Sequence, residues 1–256
     1  MQIDRKLLNM GKKSQKSKDD VKSRIWNSLH DLELMLNSFE KYEIGTVLGK
    51  NDLQNFYNEK SYEVTNGKEK YVKKVNLSNL YFAFKAEQLS IIPHDVSMVY
   101  VLLSLKYEYS IPYLSNIDLF SDYQLDIEVK CNEGRSFAWH LDRATGTDGK
   151  YIHPLYHFHG GGKKVEGKDA GELLILRSPR LAHPPMDLFL AIHFVLENFL
   201  NTKTYAQQVK IFEDPQYKEI IMRAQNRLLD PYYGAIVDKD KVEGNYAPHT
   251  LCPLYF

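Results

Sequence analysis

Four histidines and one aspartate lie close together in the middle of the chain: His140, Asp142, His153, His157 and His159. Neutral imidazoles and carboxylates are good ligands for Zn²⁺, Fe²⁺ and similar ions. Two or three histidines with one aspartate would leave a coordination position open, where a metal could activate water or bind an anion. Without a metal, a His–Asp pair could act as a general base. We therefore predict a site for Zn²⁺ or another divalent metal. The alternative is that these side chains are polar fillers on the solvated face of a sheet.

Two predicted strands would place these side chains on one surface. Residues 136–144 and 151–159 are rich in aromatic residues and are joined by a short connection, which favours an antiparallel pair. Successive side chains of a strand point to opposite faces, and a slip of one residue exchanges the faces. Only one parity puts the aromatic residues of both segments on the same side, and that parity puts all five candidate ligands on the other. Pro154 cannot donate to the ladder, so we expect the second strand to be an edge strand or to be bulged there.

The remaining pattern predicts an α+β fold, in which an antiparallel β-meander is packed by an N-terminal helix and by C-terminal helices. Residues 20–42 carry apolar side chains at spacings of three and four, which is typical of an amphipathic helix. Alternating segments follow, and Asn66-Gly67 between two of them suits a type I′ hairpin. The segment DYQLDIEVK, residues 122–130, alternates apolar and polar side chains and predicts a strand with one apolar face.

Two helices are predicted near the C-terminus. Residues 186–200 are apolar nearly all round, which indicates a buried helix, and Asp187 stands at its start. Asp214-Pro215 is a good cap and first-turn pair for the next helix. From Pro231 onward the chain has little periodicity, and we expect it to wrap over the surface.

The charge distribution suggests one domain with a basic arm. Lysine and arginine balance aspartate and glutamate at 33 each, which gives no general attraction to nucleic acid or to an anionic membrane. Residues 1–24 are different, because they carry eight basic and three acidic side chains. We predict a flexible basic arm at 1–18 and a single α+β domain at 19–256. Apart from this arm, the balanced charge argues against nucleic-acid binding, and we expect a protein partner.

Cysteine content and hydropathy favour a cytoplasmic protein. The two cysteines, Cys131 and Cys252, form no disulfide framework. The N-terminus lacks the apolar run of a signal peptide. No stretch approaches the roughly 20 uninterrupted apolar residues that a membrane span needs.

Two further patterns bear on function. The run Gly160-Gly161-Gly162-Lys163-Lys164 could cradle a phosphate, but it lacks P-loop spacing and favours a flexible hairpin tip. The order helix, meander, proline-containing turn and helices loosely resembles ubiquitin-conjugating enzymes and RWD domains, with Pro179 and Pro184-Pro185 near the place of that family's proline turn. The His-Pro-Asn motif and the well-placed cysteine of that family are missing here, so the resemblance implies a non-catalytic adaptor.

Two functions therefore stay open. The first is a metal-dependent, hydrolase-like protein that uses the histidine face. The second is a non-enzymatic interaction or adaptor module, in which the histidines are structural. Whether the protein is an enzyme is not decided by its sequence, and neither is its substrate.

Overall fold

We describe the protein from a computed structural model. The described residues are 30–44, 46–48, 61–65, 68–88, 95–111, 120–132, 134–144, 153–161, 181–200, 206–237 and 247–253. The predicted basic arm at 1–18, the turn at Asn66-Gly67 and the lysines that follow Gly161 lie outside these residues. The helical and extended segments follow the chain in a simple order.

The first helix, α1, covers residues 30–41. The strands are β1 (Thr46–Leu48), β2 (Ser61–Thr65), β3 (Lys68–Lys85), β4 (Met98–Ile111), β5 (Phe120–Cys131), β6 (Ser136–Arg143), β7 (Tyr156–Gly160) and β8 (Leu181–Ala182). The later helices are α2 (Leu188–Phe199), α3 (Ala206–Val209), α4 (Pro215–Val237) and α5 (Pro248–Leu251), with 3₁₀ turns at Ala86–Gln88 and Lys210–Glu213.

The strands form one antiparallel sheet in which, from β2 onward, each described strand pairs with the next one along the chain. The order is β1-β3-β4-β5-β6-β7-β8, and β2 also pairs with β3. This is the predicted α+β fold, a meander with an N-terminal helix and C-terminal helices. Thr65 pairs with Lys68 across the predicted hairpin, so the two strands expected there are confirmed.

The helices cover the apolar face of the sheet. The Phe39 ring of α1 lies 5.9 Å from the Phe82 ring of β3, measured between centroids. The Phe194 ring of α2 lies 5.4 Å from the Phe158 ring of β7. Large apolar side chains of the central strands fill the layer between sheet and helices, and their burial is the main stabilising contribution to the fold. No helix in the described segments is long and apolar enough to cross a bilayer.

Two arginines of α4 join it to the other long helices. The Arg223 guanidinium donates to the buried Asp31 carboxylate of α1, with a shortest distance of 2.6 Å. Arg227 donates to Asp187 at 2.7 Å. Asp187 also accepts the backbone N–H groups of the first turn of α2, as the predicted cap requires. The two ion pairs therefore fix α4 against both α1 and the start of α2.

Three sequence predictions about β7 and α4 are wrong. The strand predicted at 151–159 begins only at Tyr156, so His153 and Pro154 precede it. Strand β7 is also not an edge strand, because β6 and the two-residue β8 lie on either side of it. At the other boundary, α4 continues through Pro231 to Val237, where the sequence predicted an irregular tail.

Candidate metal centre

Strands β6 and β7 place four of the candidate ligands on one face. In the antiparallel register, His140 lies opposite His159 and Asp142 lies opposite His157. The aromatic and apolar residues between them point to the helix-covered side. This is the parity that the sequence predicted. It places two side chains of each strand next to each other, and we call these four residues the patch: His140, Asp142, His157 and His159.

Three residues of this patch are close enough to share an ion. One ligand atom each from Asp142, His157 and His159 lies within 4.8 Å of the other two. The Asp142 Oδ2 and His159 Nε2 atoms are 3.2 Å apart. The imidazoles of His157 and His159 are stacked, with centroids 5.6 Å apart and planes inclined by 14°. The donor set of two imidazoles and one carboxylate is one that Zn²⁺ and Fe²⁺ accept.

The burial of the three residues leaves one side of the group accessible. His157 is buried at 4% exposure, whereas Asp142 and His159 are half-buried. His157 thus lies on the buried side of the group, and Asp142 and His159 lie on its solvent side.

His140 belongs to the same patch but has different contacts. Its Nδ1 is 2.5 Å from Oδ1 of Asp126 on β5, and its Nε2 contacts the carbonyl oxygen of Gly161. Both ring nitrogens are therefore engaged, and His140 is not part of the three-residue group. Burial alone would lower the pKa of His140, but the hydrogen bond and negative charge of Asp126 outweigh it and raise that pKa.

His153 lies beside the group although it is outside the strand. Its ring meets the His157 ring edge-on, with centroids 4.3 Å apart. The segment after it is tied to the C-terminal part of the chain, because the Leu155 N–H donates to the Thr250 carbonyl at 2.8 Å. His153 therefore lies close to His157, although it precedes the strand whose alternation suggested that the two share a face.

Sequence reasoning missed Asp126 as a part of this site. The alternation in residues 122–130 placed Asp126 on the polar face, and the register pairs it directly with His140. The side chain is nevertheless buried at 9% exposure, and the amide of Gln124 donates to both of its oxygens. The signal was present in the strand pattern, but the burial of this second face depends on the whole tertiary structure.

The other histidines of the C-terminal half lie outside the group. His193 is half-buried, with Nδ1 3.1 Å from the Tyr217 hydroxyl and Nε2 3.3 Å from a Glu197 oxygen. Both ring nitrogens of His193 thus have partners within the C-terminal helices. His183 Nδ1 lies 2.6 Å from the Pro184 carbonyl oxygen, and burial lowers the pKa of the ring.

Comparisons with protein-family models, with curated proteins and with solved structures find no match to this chain. The site must therefore be interpreted from its own geometry.

Proposed function

We propose that the protein binds one divalent cation, Zn²⁺ or Fe²⁺, through Asp142, His157 and His159. The observation that carries this proposal is the separation of their ligand atoms, all within 4.8 Å. In a tetrahedral site with bonds of about 2 Å, ligand atoms lie about 3.3 Å apart. Small side-chain rotations on two neighbouring strands would close that difference.

We further propose hydrolase-like chemistry at this site. Three protein ligands leave a position open, as in catalytic zinc sites, whereas structural sites have four. A bound divalent ion would lower the pKa of a water molecule at that position. The partly exposed Asp142 and His159 would give a substrate access to the ion. The buried His157 would hold the ion from the opposite side. Two cysteines without a disulfide support a reducing, cytoplasmic location.

Metal analysis of the full chain, purified without a histidine tag, tests the proposal. We expect about one equivalent of Zn²⁺ or Fe²⁺ per chain. His157→Ala and Asp142→Asn should lower the Zn²⁺ affinity by at least about 100-fold, because each removes one of three ligands. His249→Ala changes an exposed histidine and serves as the matched control. Wild-type protein without a stoichiometric ion, or ligand variants with unchanged affinity, would refute the metal site.

The second candidate function is the protein-interaction module. It is favoured by exposed apolar side chains late in α4, where Tyr233 and Val237 are 52% and 82% exposed and one helical turn apart. Such a stripe is typical of a docking surface when it is continuous. The metal analysis separates the two functions, since only the first requires an ion.

A further inference from the structure

Asp126, His140 and His159 form a row across three strands. Asp126 on β5 lies opposite His140 on β6, and His140 lies opposite His159 on β7. The row therefore runs from a buried carboxylate to one of the proposed metal ligands. Nothing in the three-ligand proposal explains why the middle residue should be a histidine.

His140 contacts the ring of His159 and the backbone of Gly161, which follows the end of β7. The two imidazoles are stacked, with centroids 5.3 Å apart and planes inclined by 27°. The Nε2 of His140 contacts the carbonyl oxygen of Gly161, two residues after His159. The Gly161 N–H donates in turn to the Ala138 carbonyl at 2.8 Å. The chain is thus held on the side where it leaves β7.

Gly161 has the backbone conformation that this contact needs. Its φ of +92° lies in the region that side chains disfavour. The Gly161 carbonyl contacts His140 and so links the end of β7 to β6.

We propose that His140, anchored by Asp126, is a positioning residue of the metal site: it fixes the ring of His159 and does not itself bind the ion. This inference rests on the proposed metal function. Side chains that orient metal ligands typically contribute about 10–100-fold to metal affinity. His140 has the contacts for that role, because its two nitrogens are used to hold Asp126 and Gly161.

The first test compares Zn²⁺ affinities by competition with a chromophoric chelator. His140→Gln should still bind one equivalent, with an affinity about 10–100-fold below wild type. His193→Gln is the matched control, since His193 also has contacts at both ring nitrogens but lies elsewhere. It should destabilise the protein without changing the Zn²⁺ affinity. A His140→Gln affinity equal to that of the control overturns the proposal.

The second test uses the wild-type chain and does not depend on the folding of a variant. Imidazole ¹⁵N spectra are recorded as Zn²⁺ is added. One ring nitrogen each of His157 and His159 should take a metal-bound shift, whereas neither nitrogen of His140 should. A metal-bound shift at His140 would make it a ligand, overturning the positioning role while leaving the metal site intact. Wild type that takes up no Zn²⁺ would overturn both.

Discussion

Asp214→Ala is expected to cost about 1.5–5 kcal/mol of unfolding free energy, as the sum of a lost helix cap and an unpaired buried hydroxyl. The Asp214 carboxylate accepts the backbone N–H groups of Gln216 and Tyr217 at 2.9 and 3.2 Å. Its other oxygen accepts from the Tyr42 hydroxyl and the Lys41 ammonium, each at 2.7 Å. Loss of an N-cap contributes about 0.5–2 kcal/mol. Leaving the Tyr42 hydroxyl without its acceptor costs a further 1–3 kcal/mol or so. The exposed Lys41 adds little.

Urea unfolding followed by circular dichroism would measure this loss. Glu213→Ala is the control, because Glu213 is the exposed neighbouring carboxylate, and it should stay within about 0.5 kcal/mol of wild type. If Asp214→Ala also stays within that range, the contacts of the Asp214 carboxylate with Tyr42 and the first turn of α4 do not stabilise the fold as expected.

The same substitution should remove a pH dependence. The hydrogen bond from Lys41, followed by those from Tyr42 and the α4 N–H groups, lowers the pKa of Asp214 to about 2, despite the opposing effect of burial. In the unfolded chain an aspartate titrates near pH 3.9, roughly. A lowered native pKa stabilises the fold above the unfolded pKa, and this contribution is lost as pH falls from about 4 to about 2. The stability difference between wild type and Asp214→Ala should therefore shrink over that range, and a constant difference would contradict the assigned ionisation.

Two further substitutions test backbone features. Gly161→Ala should cost about 1–2 kcal/mol, because alanine is strained at φ +92°, and should also weaken Zn²⁺ binding by moving the carbonyl that His140 contacts. Gly134→Ala is its control, because Gly134 has a φ of +82° and nothing lies within 4 Å of the added Cβ. Its stability in urea unfolding should fall while its Zn²⁺ affinity stays constant. An equal loss of Zn²⁺ affinity in both variants would show that the effect of Gly161→Ala is not local. Pro231→Ala should stabilise the protein by about 1 kcal/mol or more, since proline inside a helix lacks a donor and crowds the preceding turn; a lower urea midpoint would mean that the proline ring is needed for packing.

The fold could be predicted wherever one periodicity dominated. Alternation in β5 and β6 fixed which side chains face the helices, and Asp187 and Asp214 marked the starts of α2 and α4. The same reasoning failed inside α4, where it predicted that the helix ends before Pro231. Proline normally ends a helix, but packing of Tyr232 and Ala235 into the core favours its continuation, and tertiary contacts outweigh local propensity.

The candidate site was predictable only in part. Strand parity correctly brought His140, Asp142, His157 and His159 to one face. It could not show that this face would be buried at His140, because burial depends on segments distant in sequence. For the same reason it could not distinguish His140, occupied by Asp126, from the three residues whose ligand atoms converge.

The ion pair between Asp31 and Arg223 has a consequence for synthesis. Its partners are separated by 192 positions, whereas most strands of the meander pair with the next strand along the chain. A nascent chain can therefore assemble the sheet progressively, since short connections close quickly. The helix α1 is synthesised before the sheet, but Asp31 can pair with Arg223 only after Arg223 has left the ribosome. A chain cut short before that point keeps its sheet-forming segments and leaves a carboxylate without its guanidinium, a defect that opposes docking of α1. Docking of α1 is thus coupled to synthesis of the chain as far as Arg223.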